Sequence, residues 1–203
     1  VIVAKFSMLI ACRKHLLRKK SGKIVHPSQL NEKWFIGYNQ KLKDLNTLLY
    51  VGRIRVEKGI FSLISILEKS KLNLTIVTPE TKSRIFNNLN NISIINFENN
   101  KDEIIKLYDN FRIFILPSYT EAHPQVLDEA LARNIPVIIF NEISHVVRDR
   151  KGVFISERNI NSLQETVDYI NKNYENIQNK IKLNILPTKK QFIEDLKNII
   201  LKK

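Results

Sequence analysis

Two short stretches carry the residues best suited to chemistry. The first reads Gly52-Arg53-Ile54-Arg55-Val56-Glu57-Lys58-Gly59 and follows an apolar run that ends at Val51. It lacks the three-glycine spacing of a dinucleotide turn and the closing GK[ST] of a P-loop, so neither of those sites is supported. Its Arg53 offers a planar fork and its Lys58 a point charge, and together they suit the oxygens of a diphosphate. The second stretch runs from Pro117-Ser118 through Glu121-Ala122-His123-Pro124-Gln125-Val126 to Glu129. Pro124 near the start of a helix leaves the amides of Gln125, Val126 and Leu127 at a positive helix terminus, which favours an anion. Glu121 stands before that terminus and Glu129 roughly one and a half turns inside the helix. One carboxylate could then accept hydroxyls on each side of a bound diphosphate. Taken alone, the cations suit a solvated surface equally well, and a helix-capping Glu121 with a solvated Glu129 is the less favoured alternative for the carboxylates.

Such a site needs strands that deliver both stretches to one edge. Residues 47–51, 73–77, 92–96, 112–116, 136–140 and 152–155 are short, nearly continuous apolar runs, as in strands covered on both faces. Between and after them, Ile60, Leu63, Ile64 and Leu67 recur at helical spacing, as do Ile104, Leu107 and Tyr108. Leu127, Ala130 and Leu131 continue the pattern, followed by Ile160, Leu163, Val167 and Ile170, and by Phe192, Leu196, Ile199 and Ile200. The alternation predicts an α/β domain with a doubly wound parallel sheet, Rossmann-like, in which ligands sit beyond the carboxyl ends of the strands. Upstream, Phe6, Leu9, Ile10, Leu16 and Leu17 predict a basic amphipathic helix, followed by a short strand over 23–26 and a polar connector over 40–46.

Gly52, Arg53, Lys58, Gly59, the Pro117-Ser118 pair and two glutamates with seven residues between them resemble the C-terminal domain of group 1, or family 4, glycosyltransferases. The resemblance covers about residues 45–170, and the segment His26-Pro27-Ser28 resembles the end of that family's N-terminal domain. It implies one half of a two-domain GT-B fold. Residues 1–44 would be a remnant of the acceptor-side domain with its linker, 45–186 the nucleotide-sugar domain and 187–203 a C-terminal helix. It also implies transfer from a nucleoside-diphosphate sugar to a glycan or lipid-linked acceptor, with retention of configuration and no metal or other cofactor. The expected context is polysaccharide or glycolipid synthesis, and the alternative is a fragment or regulatory homologue that binds a nucleotide-sugar without transferring it.

By that resemblance Arg53 and Lys58 bind the diphosphate beside Gly52, Glu121 the transferred sugar and Glu129 the ribose. The loop of Asn96, Phe97 and Glu98 holds the base through its backbone, while Ser118, Ala122, His123, Gln125 and Val126 cradle sugar and phosphate. The catalytic set is then Glu121, Lys58 and Arg53, which position the sugar and stabilise the leaving diphosphate. Three departures stand out. Ala122 replaces a glycine, Asn134 replaces another and is expected to adopt its left-handed conformation, and Asn141-Glu142-Ile143-Ser144-His145 replaces a glycine-rich turn. His145 is expected to be a surface or packed residue.

Composition narrows the remaining classes. A net charge of +13 comes from Lys spread along the whole chain, without the aromatic platform or recognition helix of a nucleic-acid binder, so nucleic acid is not an expected partner. The single Cys12 allows no internal disulfide and no metal-ligand spacing, and suits a reducing cytoplasmic compartment. Nothing approaches the roughly 18 apolar residues of a membrane span. Residues 1–12 are not expected to be a signal segment, because Arg13, Lys14, Arg18, Lys19 and Lys20 follow the apolar stretch instead of preceding it. The same cations, with Lys5 and Met8, could rest that helix on the anionic inner face of a membrane or pack it against a neighbouring domain. The chain opens on Val1, which adds to the expectation that it is a piece of a longer protein.

Overall fold

The computed structural model describes residues 9–12, 17, 22–35, 44–80, 90–97 and 101–201. At its centre is a six-stranded parallel sheet built from β3 (Thr47–Val51), β4 (Asn73–Thr78), β5 (Ile92–Asn96), β6 (Ile113–Leu116), β7 (Val137–Phe140) and β8 (Val153–Ser156). The order across it is β5-β4-β3-β6-β7-β8. Chain order therefore reverses between β3 and β6, and a crevice opens at the carboxyl ends of these two strands, where doubly wound sheets bind ligands.

The six strands expected for the sheet are present within a residue of the predicted bounds, and the strand expected over 23–26 is present as Lys23–Ile24. Their apolar runs explain why: every residue of β6 and β7 is buried, and Leu48, Leu49 and Tyr50 of β3 are as well. The edge strand β5 is half-exposed and is secured by a hydroxyl pair, Thr75 with Ser93 at 2.8 Å.

Helices cover both faces: α1 (Ile60–Leu67), α2 (Lys101–Tyr108), α3 (Gln125–Ala132), α4 (Ile160–Lys172), α5 (Tyr174–Ile181) and α6 (Lys189–Leu201). In α1 the four periodic residues Ile60, Leu63, Ile64 and Leu67 are the buried ones, and in α4 Leu163, Val167 and Ile170 are. Asn159 starts α4 by accepting the Ser162 amide at 3.0 Å, the usual work of an N-cap. Helix α5 is an addition to the sequence reading. It buries Tyr174, Ile177 and Ile181, and the Arg112 guanidinium lies 3.8 Å over the Tyr174 ring. Asn134 adopts φ 59, the left-handed conformation expected where a glycine had been replaced.

The N-terminal region differs from the expected helix. Ile10–Ala11 forms a strand, β1, that pairs in parallel with β2 (Lys23–Ile24). The amide of Lys23 donates to Leu9 and that of Val25 to Ala11, both at 2.9 Å, so a partner strand satisfies this backbone in place of a helical turn. Gly22 permits the approach, since a Cβ there would stand 2.7 Å from the Leu9 carbonyl oxygen. The flanking cations Lys5, Arg13, Lys14, Arg18, Lys19 and Lys20, and most of the connector over 40–46, lie outside the described residues.

Beyond β2, Trp34 in the 3-10 turn Glu32–Phe35 enters the core, and this segment is tied to the C-terminal one. The Ser28 hydroxyl donates to Pro187 at 2.6 Å and the Lys189 amide to Leu30 at 2.7 Å. Among the described residues no helix is long and apolar enough to cross a membrane.

Candidate functional site

The crevice between β3 and β6 is lined by the two stretches singled out above, and glycines allow them to meet. Beyond β3, Tyr50 folds beneath the loop and donates its hydroxyl to the Arg53 carbonyl at 2.7 Å. A Cβ on Gly52 would stand 2.7 Å from that hydroxyl, so only glycine fits above it. Burial, then the charges of Glu121, Glu80 and Glu57, raise the Tyr50 pKa, and its hydroxyl stays protonated. After the 3-10 turn Val56–Lys58, Gly59 sits at φ 67, and a side chain there would strike the Pro117 carbonyl. The Tyr119 amide donates to Glu57 at 3.0 Å, which clasps the two loops together.

This clasp brings opposite charges into contact. Lys58 Nζ lies 2.6 Å from Glu121 Oε1, and the Ser118 hydroxyl donates to the same oxygen at 2.8 Å. His145 Nε2 lies 2.9 Å from the Glu121 carbonyl oxygen, so side chain and backbone of this glutamate are both held. The pair is partly sheltered, with side-chain exposures of 27% for Lys58 and 10% for Glu121. Helix α3 begins at Gln125 after Pro124, whose φ of −74° and ψ of 110° make it the cap residue and not the first helical one, and whose side chain supplies no cap bond. The helix terminus faces the cavity with its positive dipole end.

Tyr50, Gly52, Arg53, Lys58, Glu121, His123, Gln125 and Val126 line one cavity of ≈ 330 Å³. Ser118 acts on it through Glu121, and Ala122 is exposed outside its wall. Glu129 is not on that wall. It is half-buried and accepts the Tyr108 hydroxyl at 3.0 Å, while the Tyr108 ring meets Trp34 edge-on and stacks on Phe114. Asn96 ends β5 and Phe97 follows it, on the same sheet edge but two strands outward from β3, with the Phe97 amide donating to Thr78 at 3.0 Å. Glu98 lies outside the described residues.

Two supporting residues escaped the sequence reading. Glu80, just past β4, accepts the Ile54 amide at 2.9 Å and approaches Arg55 at 3.4 Å, which holds the first loop. Arg158 donates to the Pro117 carbonyl at 2.9 Å and to Glu142 at 2.7 Å, and lies over the rings of Tyr119 and Phe140. That bond from Arg158 is the main cause of the lowered Glu142 pKa. Neither residue has a local motif, because their partners lie 26 and 41 positions away in the chain.

Known proteins share this fold. The capsular polysaccharide biosynthesis glycosyltransferase CapM of Staphylococcus aureus is 28% identical over 145 residues, covering 64% of this chain and 38% of its own length. Among solved structures, a glycosyltransferase from Rickettsia africae matches all of this chain with a TM-score of 0.74 at 20% identity, over 65% of its own length. The Anabaena protein HepE, solved in complex with UDP and glucose, matches 97% of this chain with a TM-score of 0.71 at 12% identity, over 63% of its own length. The sucrose-phosphate synthase of Thermosynechococcus elongatus matches 92% with a TM-score of 0.69 at 17% identity, over 55% of its own length. The chain thus spans from about two fifths to just under two thirds of the proteins it matches, and its sheet is the Rossmann-like half of a GT-B fold. The profile of one family, Glycosyl transferases group 1, covers residues 33–185, and so takes in the glycine turn, the clasp and α3 together. The chain belongs to that family, Glycosyl transferases group 1.

Proposed function

We propose that this chain is the donor-binding half of a glycosyltransferase that uses a nucleoside-diphosphate sugar and retains the anomeric configuration. The observation that carries the reading is the convergence of Arg53, Lys58, Glu121 and the N-terminus of α3 on one cavity at the switch point of the sheet. Cations and a helix terminus suit a diphosphate, and a carboxylate beside them suits the hydroxyls of a sugar. The UDP and glucose held by HepE are the two halves of such a donor.

In this reading Lys58 exchanges its bond to Glu121 for a phosphate oxygen, with Arg53 at the exposed rim as a second cation. The exchange frees the Glu121 carboxylate, still fixed by Ser118 and by His145 on its backbone, to accept sugar hydroxyls. As the sugar–phosphate bond breaks, charge grows on the departing diphosphate, where Lys58, Arg53 and the α3 dipole stabilise it. Glu129 serves the ribose and the loop of Asn96 and Phe97 the base. The acceptor, a glycan or lipid-linked sugar, meets the donor against a second domain, which also excludes water. The likeness to CapM favours polysaccharide synthesis as the context.

Calorimetry of residues 1–203 with UDP, GDP and ADP tests the donor site, with an oligonucleotide as control. Binding of one nucleoside diphosphate in preference to the oligonucleotide is expected. Tight binding of the oligonucleotide alone would overturn the reading. Sugar transfer is expected from the complete reading frame and not from residues 1–203. Binding without turnover in the complete protein would instead favour a regulatory homologue.

A further inference from the structure

On the other side of His123 from the donor cavity lies a larger one of ≈ 560 Å³. His26, His123, Arg148 and Arg150 line one side of it, and Leu186 and Pro187, from the segment entering α6, line the other. Three features of this cavity go beyond the donor site, with which it shares His123.

The His123 side chain is 3% exposed, yet neither ring nitrogen has a hydrogen-bond partner among the described residues. Its Nε2 stands 3.3 Å from Asp128 Oδ2 without forming a hydrogen bond, and both oxygens of that carboxylate accept the Arg150 guanidinium, at 2.6 and 3.0 Å. A buried polar group left unpaired commonly marks a catalytic role or a ligand. The His26 ring stacks on His123 with centroids 5.3 Å apart, and Arg148 Nη1 lies 3.2 Å from His26 Nδ1. Arg148 reaches this position from φ 51, a left-handed conformation that a long side chain rarely adopts and that clusters at functional sites.

Two imidazoles and two guanidiniums thus converge on one wall. Burial first, and then Arg148 and Arg150, lower the pKa of His26; in His123, burial and the same arginines outweigh the opposing pull of Asp128 and bring the value to about 4. The other carboxylates nearby are Asp149 on the same wall and Asp195 on α6, which acts on His26.

We infer that this cavity is a second anion site, built for a phosphate group. The unpaired nitrogen of His123 and the His26–Arg148 pair supply donors to several oxygens of one tetrahedral anion, the arrangement guanidinium and imidazolium groups favour. An arriving phosphate supplies the negative charge that lets an imidazole take up a proton. The cavity is far larger than a bare ion, and Leu186 and Pro187 on its second wall, beside Thr188 and Gln191, leave room for the carbon skeleton of a phosphomonoester. Because His123 belongs to the loop that also carries Glu121, the two sites share a wall and are filled at the same time.

The test follows the ring C–H resonances of His26 and His123 by NMR while the 203-residue chain, saturated with UDP, is titrated with inorganic phosphate and, separately, with phenyl phosphate. A Lys58→Ala variant run in parallel, without nucleotide, keeps the result readable even if UDP does not bind. Both resonances are expected to move, and His145 to stay still. Tighter binding of phenyl phosphate supports an ester as the source, and equal binding supports the free ion. Arg148→Gly is expected to weaken either probe about tenfold, the equivalent of one charge-assisted contact. Glycine accepts φ 51 without strain, so the variant keeps or gains thermal stability and lost binding cannot be blamed on unfolding. The inference is overturned if neither histidine responds, if UDP displaces the probes, or if Arg148→Gly binds them unchanged.

Discussion

Lys58 shows how a residue can be committed to two partners. Its bond to Glu121, at 2.6 Å, neutralises the cation, so any diphosphate has to compete with a carboxylate for it. Lys58→Ala is expected to weaken nucleoside-diphosphate binding by about 1.5 to 3 kcal/mol, the scale of a charge-assisted hydrogen bond, and Arg53→Ala by a similar amount. Unchanged affinity in both variants, measured by calorimetry, would remove the clamp. Glu121→Gln separates the two roles in the opposite direction. It removes the competing charge while Ser118 and His145 can still hold the side chain and backbone, so nucleoside-diphosphate affinity should rise, by up to about tenfold. Turnover by the complete protein should fall in the same variant, because the amide is a poorer acceptor for sugar hydroxyls. A parallel fall in both quantities would make Glu121 a structural residue.

At the scale of elements, a buried ion pair just past the C-terminal end of α3 ties three segments together. Arg133, directly after α3, is 1% exposed; it donates to both carboxylate oxygens of Asp109, just past α2, at 2.8 and 2.7 Å, and to the Trp34 carbonyl at 3.0 Å. Three elements that are far apart in sequence are joined by one guanidinium. Removing its carboxylate leaves a buried charge, so Asp109→Ala is expected to cost about 3 to 5 kcal/mol of folding stability by denaturant unfolding. A loss under about 1 kcal/mol, the range of an exposed pair, would mean that water reaches this site. The same elements carry Tyr108 and Glu129, so the variant should also loosen the carboxylate assigned here to the ribose.

For the molecule as a whole, His123 makes folding sensitive to mild acid. Its folded pKa is lowered from 6.5 to about 4, mainly by burial. Between those values the unfolded chain takes up a proton that the folded chain refuses, so stability is full above pH 6.5 and falls as the pH drops towards 4. Asp44 and Glu142 also have lowered values, but from ordinary values of 3.8 and 4.5, so their contribution is lost only at more acid pH. His123→Phe, which keeps a buried ring without a titrating nitrogen, is expected to shift the acid unfolding midpoint downwards. An unchanged midpoint in pH-dependent thermal melts would assign the acid sensitivity elsewhere, His26 being the next candidate.

Local chemistry was enough to read most of the architecture. Short, nearly continuous apolar runs suit the strands of a parallel sheet, and apolar residues at helical spacing suit the helices that cover it, so the six strands of the sheet and, among the described residues, five of the six helices were legible from pattern alone. Asn134 was legible for the same reason, since a left-handed turn tolerates few residues besides glycine. That Arg53, Lys58 and Glu121 line one cavity was legible from their places at the end of a strand and the start of a helix, which a parallel sheet brings to one edge. Contacts between distant segments could not be read this way. Ile10–Ala11 has an apolar pattern compatible with a helix and becomes a strand only because Lys23–Ile24 is present to pair with it. Glu129 has the spacing of a second site carboxylate, but that spacing says nothing of the bond its Oε2 atom accepts from a tyrosine 21 positions earlier. Arg158, Glu80 and the His26–His123 stack likewise exist only once the sheet has brought their partners together. Periodicity records what a residue must bury against, whereas hydrogen bonds and ion pairs depend on which side chains meet, and that is set by packing.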